Sequence, residues 1–463
     1  MLATQTSSIR KLFRSICTER YSRRCISVLF LLTVQLSFGF FFHQLAMKPK
    51  YFRMDNDSNR NEFQSGSLPK VFVYPVPQSL LEQGLPTTWR DPAGFCRWDP
   101  GYSLEVEYPW LFDMDRNLPE PKITIEDPEQ ADAFFIPHFT TCFMQFCMFG
   151  NSSERIPLAR PDVVRIASSQ HECLKTYQAY LGVIIDWVRT EYPYFNKTAG
   201  ADHVMAIGHE TLAETIYLHN PLKDQLLHVM FLQVNSLLLY YESGGYPGEW
   251  LASFNPHKDV AVAPNIHMEP FNDFPFQTRP PREERTIWAY FRGGIKLDDI
   301  RYSHGVRQAL FQMAEGDDRL VVGGSVPTDQ YYKEFMNARY CLYPPGWILW
   351  SGRLAHILHS ACVPIIINDG VLMPYEDELD WSTFSVKMHE RDLPHLMSIL
   401  ETLEESGVGQ RLEDEMIAQR RAFTYAYPSQ PGDAMYMALR GIQRRLPKWK
   451  PGAFQSWNTD GYK

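Results

Sequence analysis

The chain contains no Cys-X-X-Cys and no His-X-X-X-His spacing, so no metal site is expected from its cysteines or histidines. It has no internal repeat and no low-complexity tract, and its composition, 44% hydrophobic and 21% charged, is that of a folded globular protein. Net positive charge is confined to the first 25 residues, which hold Arg10, Lys11, Arg14, Arg20, Arg23 and Arg24 against Glu19; an overall formal charge of −9 therefore leaves −14 for everything that follows. A body that acidic excludes general binding to nucleic acid or heparin-like polyanions, because phosphate contacts need a cationic footprint.

At 463 residues the chain is too long for one ordinary core and suits two domains. Residues 1–25 read as a basic cytoplasmic tail. The apolar run Ile26 to Phe42, extendable to Ala46, is about the minimum that spans a bilayer. Its length, and the absence of a clean small-X-small site after it, favour an uncleaved signal anchor over a cleaved signal peptide. The basic flank then stays cytoplasmic and the remainder is lumenal. Polar residues 47–67 read as a stem, and the sequons at Asn56, Asn151 and Asn196 all fall on the lumenal side. Four of the eight cysteines, Cys96, Cys142, Cys147 and Cys173, allow two disulfides in three connectivities; Cys341 and Cys362 lie in apolar strands and read as buried thiols.

The segment from Tyr340 to Asp369 carries the most information. It reads as a strand, a Pro-Pro-Gly turn, a helix opening near Ser351 and a buried strand Val363 to Ile367. Such a unit sets the N–H groups of a helix start at the carboxyl edge of a parallel sheet, where nucleotide phosphates are held. Arg353 adds a forked cation. Leu354, Ile357, Leu358 and Ala361 fall on the core face by spacing, leaving Arg353, His356 and Ser360 on the other. Further strands are expected at 70–74, 133–137, 203–207, 259–263, 286–291, 320–322 and 384–386, with closing helices at about 393–404, 411–425 and 433–445. This alternation predicts an α/β protein of two Rossmann-like domains facing a cleft, 68–257 and 258–425, with 426–463 packing back. Asp113-Met114-Asp115 has the form of a manganese motif but reads as a solvated loop.

Several segments together resemble the exostosin family of glycosyltransferases. They are KVFVYPVP from Lys70, DPEQADAFFIPHF from Asp127, YPYFNKTAGADHVMAIGHE from Tyr192, KDVAVAP from Lys258, FRGG from Phe291, YSHGVRQAL from Tyr302, Arg339 to Asp369, and LDWSTFSVKMHERDL from Leu379. The resemblance implies a type II membrane enzyme of the Golgi or endoplasmic reticulum with a GT-B type, two-Rossmann architecture. Such an enzyme moves a sugar, with inversion, from a nucleotide donor, usually a UDP-sugar, to a polysaccharide or glycoprotein glycan, with no cofactor or metal. It also makes a complex with another family member plausible.

Inverting transfer needs a base for the acceptor hydroxyl and cationic or dipolar groups for the departing diphosphate. Ser351, Gly352 and Arg353 match the family's Ser-X-Arg and are expected to hold the nucleotide, with Arg292, Gly293 and Arg307 as further candidates. The family usually carries Asp or Glu three residues after that arginine, where this chain has His356. A histidine can bond a hydroxyl but cannot act as a two-oxygen acceptor. An accessory subunit that binds glycan or stabilises an active partner is therefore the alternative function. For the base, His209 and Glu210 follow a predicted strand at its carboxyl end, whereas Asp202, at the other end, reads as structural.

Overall fold

The computed structural model describes residues 68–81, 108, 111–112, 115, 122–140, 170–208, 222–234, 254–264, 279–346, 349–426 and 429–446. All of them belong to one compact unit, Leu68–Lys463. The apolar run at 26–46, the stem, Asn56, Asn151, His209 and Glu210, and the side chains of Cys96, Cys142, Cys147 and Cys173, lie outside the described residues. No helix among the described residues is long and apolar enough to cross a membrane.

Two wholly parallel sheets form the frame. The first contains β1 (Val71–Val73), β2 (Thr124–Ile125), β3 (Ala133–Phe135), β4 (His203–Ile207), β5 (Met230–Gln233) and β6 (Val260–Ala261), in the order β2-β1-β3-β4-β5-β6. The second contains β7 (Ile287–Arg292), β8 (Leu320–Gly323), β9 (Ala338–Tyr343), β10 (Val363–Ile367) and β11 (Val386–Met388), in the order β11-β10-β9-β7-β8. In both, the first strand has the second on one side and the third on the other. Each sheet thus reverses direction beside its first strand, and the reversal opens a crevice outside the carboxyl ends of β1 and β3, and of β7 and β9.

The strands follow from their composition. β10, Val-Pro-Ile-Ile-Ile, is buried along its whole length, as a strand covered on both faces requires. Pro364 brings no N–H, and it precedes Ile365, where pairing with β11 begins. The helices are α1 (Gln170–Glu191), α2 (Tyr194–Thr198), α3 (Val306–Ala314), α4 (Thr328–Met336), α5 (Arg353–His359), α6 (Leu396–Glu405), α7 (Val408–Gln419) and α8 (Ala434–Arg445). α5 buries Leu354, Ala355, Ile357 and Leu358, as their spacing predicts. Ser360 departs from the expectation: it is buried, and its hydroxyl donates to the Ile357 carbonyl.

The two sheets share a core. One apolar cluster runs from Val71, Phe135 and Val204 of the first sheet to Tyr343, Leu354 and Ile366 of the second. The Tyr375 N–H donates to the Ala261 carbonyl, and the Tyr425 hydroxyl to that of Ala263. α8, capped by the Asp433 carboxylate on the Tyr436 N–H, returns to the first sheet. It comes so close that a Cβ at Gly441 would stand 2.6 Å from Val260 Cγ1.

Two local readings are corrected. Cys341 and Cys362 are joined in a disulfide, because β9 and β10 are neighbours and the two Cα atoms lie 5.8 Å apart. Asp115 is not a solvated loop residue, since its carboxylate accepts the backbone N–H groups of Ile123 and Thr124 and so holds the entry to β2.

The disulfide closes a loop of 21 residues that carries Ser351, Arg353 and His356. Replacing Cys341 by Ala is expected to lower unfolding stability by about 3 kcal/mol, measured as the shift in urea midpoint.

Candidate functional site

β7 ends at Arg292 beside the crevice of the second sheet, and Gly293 follows. Around this point lies a cavity of about 270 Å³ lined by Arg292, Gly293, Ser325, Val326, Tyr331, Ser351, Arg353 and His356. Five of these eight are residues singled out from the sequence. Gly352 sits between two of them as the N-cap of α5.

Arg353 dominates the site. Its guanidinium lies 4.4 Å over the ring of Phe291, the last-but-one residue of β7. It occupies space that only glycine leaves, because a Cβ on Gly293 would stand 2.5 Å from Arg353 Nη2. Among the described residues no carboxylate pairs with it, so its charge is available to a ligand anion.

Arg292 is held differently. It makes two bonds to Glu334 on α4, Nε to Oε2 at 2.7 Å and Nη2 to Oε1 at 2.8 Å. Burial alone would raise the Glu334 carboxyl, but its bonds to Arg292 and Gln330 prevail and hold it low. Arg292 therefore lines the cavity with its charge already neutralised. Arg307 is not in the lining. It is buried, donates to the Gly294 carbonyl and the Tyr302 hydroxyl, and lies over the rings of Phe291 and Tyr302. It props the floor of the site.

The expectation that N–H groups of the helix start grip the ligand also changes. The Ser351 N–H donates to the Tyr343 hydroxyl, that of Arg353 to Ser351 Oγ, and those of Leu354 and Ala355 to the carbonyls of Ser351 and Gly352. Those four donors are engaged within the loop and the helix start, and the side chains of the lining face the cavity.

His356 Nδ1 lies 3.0 Å from the hydroxyl of Tyr331 on α4. Burial first, then the neighbouring Arg353 and His359, push the imidazole down to about 3, so it is neutral at any physiological pH. Burial pushes the Tyr331 phenol up and keeps its proton on. With Tyr331 donating to Nδ1, the ring hydrogen of His356 stands on Nε2, a donor where a carboxylate would be an acceptor. Tyr331, Ser325 and Val326 were not found from the sequence, because the segment Ser325 to Met336 carries no recognised motif.

The remaining predicted positions lie elsewhere. Asp202 is structural, as read: it accepts from Thr198 Oγ1 and bonds His203 Nδ1, while His203 Nε2 meets the Tyr74 hydroxyl. Asn196 is exposed on α2, with its amide bonded to Arg189. Among the described residues no group of three His, Cys, Asp or Glu could hold a metal ion.

Two parallel sheets, one with a guanidinium-lined cavity at its reversal point, define an α/β protein with an arginine-bearing site at a strand edge. The chain belongs to the exostosin GT47 family, whose Exostosin GT47 domain model matches residues 65–403, and it is a glycosyltransferase. It is 28% identical over 420 residues to a probable glucuronosyltransferase 47 A of Physcomitrium patens, covering 85% of this chain and 80% of that one. It is 27% identical over 394 residues to the probable beta-1,4-xylosyltransferase IRX10L of Arabidopsis thaliana, covering 82% of each. Among solved structures, the crystal structure of TarM aligns over 59% of this chain and 57% of that one at 8% identity, with a TM-score of 0.28, too loosely to carry an argument.

Two expectations follow from the site. Gly293→Ala should displace the Arg353 guanidinium and weaken binding of a nucleoside diphosphate roughly tenfold by calorimetry while leaving the melting temperature nearly unchanged, as losing one charged hydrogen bond implies. His356 is neutral in the fold but takes a proton near pH 6.5 once unfolded. Its contribution to stability is therefore full above about pH 6.5 and is lost as pH falls toward 3. The urea midpoint should drop more between pH 7 and pH 5 in the wild type than in His356→Gln.

Proposed function

We propose that the protein transfers a sugar from a UDP-sugar, with inversion and without a metal, to a polysaccharide or glycoprotein glycan in the Golgi, held to the membrane by residues 26–46. The observation that carries the reading is Arg353, a guanidinium without a carboxylate partner among the described residues, stacked on Phe291 in a cavity at the carboxyl edge of β7. As the acceptor oxygen attacks the anomeric carbon, negative charge grows on the leaving diphosphate, and a pre-placed cation in a site poor in water stabilises it strongly. His356, Tyr331 and Ser351 supply neutral hydrogen-bonding groups beside it. The two matched relatives are named as a glucuronosyltransferase and a xylosyltransferase, which favours a plant-type polysaccharide acceptor and donors of those sugars. The basic tail, the apolar run and the sequons support a lumenal catalytic body, and a second family member is a natural partner.

The test is transfer by the purified full-length chain, in detergent and EDTA, from a panel of UDP-xylose, UDP-glucuronic acid, UDP-galactose and UDP-arabinose to xylo-oligosaccharides. Transfer from one donor is expected. Arg353→Ala should then lower kcat/KM by about 10- to 100-fold, the value of charged hydrogen bonds in a buried site. Absence of transfer by well-folded protein would sink the reading.

One observation favours a second reading. Among the described residues no carboxylate lines the cavity, and His356 stands where the family usually has an acid. A subunit with weakened donor binding would support an active partner instead of turning over itself. Under that reading the wild type is inert and His356→Glu raises UDP affinity.

A further inference from the structure

β10 and β11 pair as far as Ile367 and Met388, so the next residues leave the sheet side by side at its carboxyl edge. There His389 Nδ1 lies 3.1 Å from Asp369 Oδ1. The ring is 62% exposed and the carboxylate 46%. Asp369 accepts from Nδ1–H, which fixes the tautomer and leaves the lone pair on Nε2, the nitrogen not engaged by the carboxylate.

The chain holds two other His–carboxylate pairs among the described residues, and neither offers the same chemistry. His203, paired with Asp202, is wholly buried, and its second nitrogen is occupied by the Tyr74 hydroxyl. His304 with Glu390, 2.9 Å apart, sits on backbone of positive φ and braces the start of α3 against the residues after β11. His389 alone is more than half exposed at the edge where a parallel sheet presents its ligand.

The pair also borders the site already described. Asn368, next to Asp369, is buried and donates to the carbonyl of Leu349, two residues before Ser351 in the cavity lining. One loop therefore touches the cavity with Ser351 and the base of the dyad with Leu349. The charged groups around His389 are largely paired with others: Lys387 with Glu376, Glu390 with His304 and Arg391 with Asp392.

We infer that His389 is the general base of the sugar transfer and Asp369 its positioning residue, an inference that rests on the glycosyltransferase reading above. His389 Nε2 takes the proton of the acceptor hydroxyl. The oxygen's electron pair forms the new bond to the anomeric carbon, and the bond from that carbon to the diphosphate breaks with its pair on the leaving oxygen, opposite Arg353. The imidazolium, stabilised by Asp369, then gives its proton to water. This places the base on the second sheet, instead of at His209 or Glu210.

The experiment uses the full-length chain in detergent, the same panel of UDP-sugars and xylo-oligosaccharide, and UDP alone for binding. His389→Ala should lower kcat by about 100- to 1,000-fold, the usual worth of a general base, with donor KM and UDP affinity held within about twofold. Imidazole added to the buffer should restore part of that rate, which a structural role would not allow. Asp369→Asn should lower kcat about tenfold by releasing the tautomer. His389→Gln repeats the measurement if the alanine variant does not fold. The inference is overturned if both His389 variants turn over within about threefold of wild type, if imidazole rescues nothing, or if the loss appears only in His209→Ala or Glu210→Gln. Wild-type transfer with an unimpaired His389 variant sinks the dyad alone; a wild type that transfers from no donor sinks the glycosyltransferase reading and the dyad with it.

Discussion

The contact on which the site depends is the guanidinium of Arg353 lying over Phe291 in the volume that Gly293 leaves open. It requires three things at once. β7 must end at the reversal of the sheet, the residue after Arg292 must lack a side chain, and α5 must begin after β9, two crossovers later, with its first residue turned toward β7. The flat cation is weakly hydrated and can lie against an aromatic face at little cost, while a lysine at the same place would be a point charge without the stack. Glu334 neutralises Arg292, so of the two arginines among the described lining residues Arg353 is the one left without a carboxylate.

The loop that presents Arg353 is held at its base from several directions. The Cys341–Cys362 bridge joins the strands on either side of it. Arg279 donates to the carbonyls of Ala361 and Ala338, pinning the same two strands from outside. Behind β9 a buried ion network, Arg282 with Glu404 and Glu413, Arg285 with Glu413, and Arg339 with Glu404, fixes α6 and α7 to the sheet. Each of those charges has a partner of opposite sign, the condition under which buried ions are tolerated. Under the proposed function this rigidity matters, because a cation placed for a transition state is effective only if it need not reorganise.

How much of this was legible in the sequence depended on pattern length. Val363 to Ile367 and His203 to Ile207 are apolar runs that read directly as buried strands, and the structure places them at those residues. β2 has two residues, too few to show a pattern, whereas β5 lies in the apolar run Val229 to Leu232, as readable as 320–322, and is missing from the strands expected. The core face of α5 followed from helical spacing, but Ser360 did not, because the chain turns at the positive-φ Ala361 and tucks the serine under the last turn. The disulfide was invisible because buried thiols and a bridged pair look alike until strand order is known. In the site, Ser351, Arg353 and His356 were found through their motif, whereas Tyr331 and Glu334 arrive from α4 by tertiary packing alone.

The replacement of a carboxylate by His356 changes the electrostatics of the site more than its shape. An acid beside Arg353 would pair with it and compete with an incoming diphosphate, whereas a neutral imidazole leaves the cation uncompensated. Burial and the guanidinium itself keep that imidazole neutral, so the same charge that attracts the ligand prevents a second positive charge from forming next to it. The gain is a stronger single anion contact; the loss is the two-oxygen acceptor suited to a ribose diol. Under the proposed function, a donor held this way is gripped mainly at its diphosphate, and the sugar is discriminated by groups outside the cavity lining.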